Sequence, residues 1–61
     1  MPTSKELIRL IESDGWYLVK IEGGHHHFKH PTKPGKVTVP HPRENVHPKT
    51  FKSALRQAGL L

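Results

Sequence analysis

The chain contains no cysteine among its 61 residues, which removes disulfides, thiolate nucleophiles and cysteine-based zinc cages from consideration together. Aromatic residues are few, with one Trp, one Tyr and two Phe. No apolar run approaches the roughly 20 residues that a membrane-spanning helix needs. Polar Pro2, Thr3, Ser4 and Lys5 follow Met1, so no secretory leader is expected and a cytoplasmic location is the default. A second domain is also excluded, because domains typically run to about 100–150 residues. Residues 1–61 are therefore read as one domain. A fold of this size buries only about 60% of the surface its unfolded chain exposes, so its stability rests on a thin core.

Acidic side chains are scarce as well. Ten Lys and Arg face five Asp and Glu, for a formal net charge of +5. Six His add further charge below about pH 6.5. Such a surplus steers the chain toward polyanions, whether nucleic acid, an acidic membrane surface or an acidic protein, while no membrane-spanning segment is expected.

The order of apolar and turn-forming residues predicts five elements. Thr3 and Glu6 have capping-box spacing, and Leu7, Ile8, Leu10 and Ile11 follow at helical intervals up to Gly15. Trp16 to Glu22 is rich in aromatic and β-branched residues, which predicts a strand. Gly23 and Gly24 offer the positive φ angles of a tight turn, and His26 to His30 returns antiparallel around Phe28. Pro31, Pro34 and Gly35 mark another reversal before a short strand over Lys36 to Val39. A last helix begins near Pro48, places Phe51, Ala54, Leu55 and Ala58 on one stripe, and closes at Gly59. Helix, three antiparallel strands, helix gives an α+β sandwich with both helices on one sheet face and the other face open.

Side chains alternate across a strand, so a Phe28 pointing into the core puts His26 and His30 on its side. His25, His27 and Lys29 then face outward beside Lys20 of the neighbouring strand. Imidazole is the side chain best suited to move protons near neutral pH. RNA makes such a group sufficient, because a base that takes the 2′-hydroxyl proton lets that oxygen attack the adjacent phosphate while an acid protonates the leaving 5′-oxygen. Lys20 and Lys29 are the candidates for holding the phosphate. No metal is expected, since a closed site needs four ligands and the His-rich segment holds no carboxylate. Other cofactors are not expected either. Asn45, Val46 and His47 carry no signal of their own.

Four ordered strings add to this reading: Asp14-Gly15-Trp16-Tyr17-Leu18-Val19-Lys20, Gly23-Gly24-His25-His26-His27-Phe28-Lys29-His30-Pro31, Val37-Thr38-Val39-Pro40-His41-Pro42 and Leu55-Arg56-Gln57-Ala58-Gly59-Leu60. Their order, spacing and length resemble HicA-type mRNA interferase toxins over nearly the whole chain. The resemblance implies a double-stranded-RNA-binding-like fold, ribonuclease activity that degrades mRNA and arrests growth, and neutralisation by a HicB antitoxin. The catalytic His of that family follows a Gly-Ser pair, and the matching position here is His25, preceded by Gly24 in place of Ser. Lys49-Thr50 stands where the family usually reads Gly-Thr. His41 matches a His that often follows the Val-Pro segment, and with His27 it is a candidate second catalytic or substrate contact.

The function expected is therefore that of a toxin component acting as a metal-independent endoribonuclease through His25. The alternative is a non-catalytic RNA-binding module, for which the basic charge and the fold suffice. An interaction protein whose His-bearing face is an epitope for an acidic antitoxin is a third reading.

Overall fold

The structure is a computed structural model that describes residues 2–61. The elements run α1 (Ser4–Ser13), β1 (Tyr17–Glu22), β2 (His25–Lys29), β3 (Val37–Pro40) and α2 (Pro48–Gln57). All three strands are antiparallel in the order β1-β2-β3, so the His-rich strand is the central one.

Both helix starts follow from local chemistry. Thr3 is the N-cap of α1, its Oγ1 accepting a hydrogen bond from the Glu6 amide at 3.1 Å. In α2 the cap is His47, whose Nδ1 accepts from the Lys49 amide at 3.1 Å, with Pro48 in the first turn where a missing N–H costs nothing. Gly15 follows the end of α1 at φ +106°, and a Cβ there would lie 2.8 Å from the His30 ring. The Gly23-Gly24 turn uses a positive φ only at Gly23, which corrects the expectation that both glycines supply one.

The core gathers Leu7 and Ile11 from α1, Trp16 from the turn just before β1, which begins one residue later than expected, Phe28, Val37 and Val39 from the sheet, and Ala54 and Ala58 from α2 and its cap. Fully burying a large apolar side chain of this kind contributes about 1.5–3 kcal/mol. Phe28 pairs with Val37 and His26 with Val39 across β2 and β3, so one sheet face meets both helices and the other stays open. The result is a slab of 30 × 25 × 16 Å, thin because a single helix layer backs a single sheet.

Strand β1 departs from the simple alternation expected of it. The register slips between Leu18 and Lys20, which inserts Val19 as a bulge. As an edge strand beyond the cover of the helices, β1 is exposed along its whole length, with Ile21 57% exposed. Leu10 in α1 is likewise 43% exposed and lies outside the core cluster that the helical spacing assigned it to.

His30 is structural. Its Nδ1 accepts from the Lys33 amide at 3.0 Å, so Nε2 carries the hydrogen and donates to the Asp14 carbonyl at 2.7 Å. Its ring meets Trp16 edge to face at 5.1 Å.

Candidate active site on the open sheet face

His25 opens β2 immediately after the Gly23-Gly24 turn, and its ring is exposed. In register it lies opposite Glu22 on one side and Pro40 on the other. His27 pairs with Lys20 and Thr38, on the same open face. Its Nδ1 lies 3.2 Å from Thr38 Oγ1, and its Nε2 lies 3.4 Å from Glu22 Oε1. Glu22 also reaches Lys20 at 3.3 Å, with both side chains largely exposed, so that ion pair is weak. Glu22 is a member of this face that sequence reasoning did not single out, although the register now puts it beside both imidazoles.

His25 is one wall of a cleft of about 390 Å³, with Pro40 beside it. The other wall comes from the connection between β3 and α2 and from the first turn of α2: Arg43, Asn45, His47 and Thr50. Val46 is the anchor of that wall, buried in the core with its amide donating to the Pro2 carbonyl at 2.8 Å. Ser4 is the second anchor. Its buried hydroxyl accepts from the Arg43 amide at 2.8 Å, and the Arg43 carbonyl accepts from the Ser4 amide at 2.9 Å. The connection is thereby fixed on both sides of Asn45, which turns a segment with no sequence signal into a defined surface.

Lys20 and Lys29 stand on the open face but outside this cleft. Lys29 ends β2 four residues from His25, about 13 Å along the strand at the usual rise per residue. His41 is directed elsewhere. Its amide donates to the Gly24 carbonyl at 3.0 Å, while its Nδ1 lies 2.6 Å from Ser4 Oγ. Its ring packs edge to face on His26 with centroids 4.7 Å apart, so it belongs to the helix side of the sheet and not to the His25 cleft. His41 lines a separate cavity of about 540 Å³ with Thr3, Lys5 and Glu44, and Arg43 borders both cavities.

The His26 ring is held below its ordinary value of 6.5, first by desolvation and then by the neighbouring His41 and His27. Its Nδ1 is buried with no hydrogen-bond partner. Among the described residues no three His, Asp or Glu side chains are grouped to hold a metal ion. No helix among them is long and apolar enough to cross a membrane.

Together these features define a small α+β domain of helix-strand-strand-strand-helix order, in which His25 of the central strand borders a cleft that Arg43 and His47 line from the connection between β3 and α2. The family model of the HicA toxin of bacterial toxin-antitoxin systems matches residues 4–60, and the chain belongs to that family. It is thus a toxin-type component of such a system. No curated protein matches the chain.

Proposed function

We propose that the protein is an endoribonuclease that cleaves mRNA without a metal ion, with His25 as the proton-transferring group. The observation that carries this reading is the placement of an exposed imidazole on the open face, in a cleft that also holds a guanidinium and a second imidazole. In the reaction, the 2′-oxygen of the substrate loses its proton and forms a bond to the adjacent phosphorus. The bond from phosphorus to the 5′-oxygen breaks, and that oxygen takes up a proton. The products are a 2′,3′-cyclic phosphate and a 5′-hydroxyl. His25 serves one of the two proton transfers. Lys20 and Lys29 hold phosphates of the same strand along the open face, where the salt dependence of binding reports their contribution. His27, steadied by Thr38 and Glu22, lies beside that track as a substrate contact.

The partner proposed is a HicB antitoxin that neutralises the toxin by covering the open face. A standard interface of about 800 Å² per partner is large against so small a domain and is enough to occlude His25. Cellular location follows from the substrate, since mRNA is met in the cytoplasm.

The reading is tested by His25→Ala expressed under tight control. Growth arrest and RNA cleavage are both expected to vanish while the melting temperature holds, because an exposed ring at a turn contributes little to packing. A variant that arrests growth and cleaves RNA at the parental rate removes His25 from the mechanism. Retained RNA binding with no cleavage by either form favours the non-catalytic RNA-binding module.

A further inference from the structure

Of the residues in the wall of the cleft that faces solvent with His25, only Thr50 was marked by the sequence. His47 is the informative one. Its Nδ1 accepts a hydrogen bond from the Lys49 amide at 3.1 Å as the N-cap of α2. A ring nitrogen that accepts carries no hydrogen, so in the capped state the hydrogen sits on Nε2 and the imidazole is neutral. Such a ring presents a fixed N–H donor at its far end. It is not set up to pass a proton on, because an imidazolium would need a hydrogen on Nδ1 and would lose the cap. Arg43 supplies the complementary group, a permanently charged fork on a backbone clamped by Ser4 through two hydrogen bonds of 2.8 and 2.9 Å. The cleft that holds both is lined further by Thr50 and Asn45.

We propose that this wall is the seat of the scissile RNA phosphate, with the neutral His47 Nε2–H and the Arg43 guanidinium donating to its non-bridging oxygens while His25 moves the proton. The inference deepens the endoribonuclease reading and rests on it for the chemical step. It divides the labour between two imidazoles by what their other nitrogens do. His25 stands exposed at the start of β2. His47, tied to the helix start, is a stationary donor whose help grows as charge builds on the phosphoryl oxygens. Arg43 acts in both ground and transition states, so its weight falls on substrate binding.

Two substitutions at His47 separate this role from capping. Asn places an acceptor near the position of Nδ1 and is a favoured N-cap, but it is too short to reach where Nε2 stood. Gln carries an N–H near the position of Nε2 but is a poor cap. His47→Asn is expected to keep the parental melting temperature and lose roughly tenfold to a hundredfold in kcat, with KM nearly unchanged. His47→Gln is expected to melt earlier yet retain more activity than His47→Asn. Arg43→Gln is expected to raise KM for RNA about tenfold. The binding part is read independently by nuclear magnetic resonance, using an RNA oligonucleotide that is 2′-O-methylated throughout and so cannot be cleaved. It should shift the side-chain signals of His47 and Arg43, with His47 Nδ1 showing the nitrogen frequency of an unprotonated ring.

Activities of the two His47 variants that simply follow their stabilities would reduce His47 to a helix cap and overturn the proposal. Parental kcat and KM in both His47→Asn and Arg43→Gln, with His25→Ala inactive, would overturn the seat while leaving the endoribonuclease reading intact. Absence of any cleavage by the parent, with the methylated RNA still shifting His47 and Arg43, would remove the endoribonuclease reading and leave the cleft as an RNA phosphate site. No shift at either residue would overturn the seat outright.

Discussion

His26 and His25 are sequence neighbours with opposite fates, because the strand sends one ring to each face. His25 meets solvent, whereas His26 packs against His41 with its Nδ1 buried and unpartnered. Desolvation disfavours the charged form of His26, reinforced by His41 from the β3 end and by His27 from its own strand. Its folded value thus lies below the ordinary 6.5. The unfolded chain binds this proton more readily, so the contribution of neutral His26 is complete above 6.5 and is lost as pH falls through the folded value. The melting temperature should accordingly drop between about pH 7 and about pH 5, and His26→Leu should flatten that drop. An identical slope in the variant would place the acid sensitivity in other groups. His26 and His25 were separable from the sequence by strand alternation alone. Ser4 was not. A serine near a helix start reads as solvent-facing or as a cap, and only the folded chain brings the connection carrying Arg43 against its hydroxyl.

At the scale of elements, caps and turns were legible and pairings were not. Thr3, Gly15 and Pro48 act through their immediate neighbours, so the helix limits could be read from local spacing. The bulge at Val19 depends on how β1 meets β2, and the exposure of Ile21 and Leu10 depends on where the helices stop covering the sheet. Neither is a local property. One long-range tie also joins the ends of the two helices: Lys33 Nζ pairs with the Asp14 carboxylate and donates to the Ala58 carbonyl at 3.0 Å. The hydrogen bond from Lys33 holds Asp14 below its ordinary value of 3.8. A lowered carboxylate stabilises the fold above its unfolded value and ceases to do so as pH falls through the folded one. Asp14→Asn should therefore lower the melting temperature at neutral pH, and the difference from the parent should close once the pH falls well below 3.8. A deficit that persists unchanged in strong acid would mean that the pair contributes nothing through its charge.

Across the whole molecule, a +5 chain is folded into a slab only 16 Å in its thinnest dimension, with helices behind and imidazoles in front. That layout was legible from helix and strand order, and the outward face of His25 from strand alternation. The cleft was not legible, because its second wall comes from residues 43–50, whose positions are set by a serine clamp and a buried valine rather than by any motif. The exposed β1 edge and the His-bearing face together leave much of the sheet uncovered. The central claim is that this face cleaves RNA using the protein's own side chains. It is tested most directly by incubating the purified protein and His25→Ala with RNA in excess EDTA and identifying the new RNA ends by mass spectrometry. The parent is expected to yield 2′,3′-cyclic phosphate and 5′-hydroxyl ends and the variant none. Cleavage that stops in EDTA and returns with added metal, or equal cleavage by both proteins, would contradict the account.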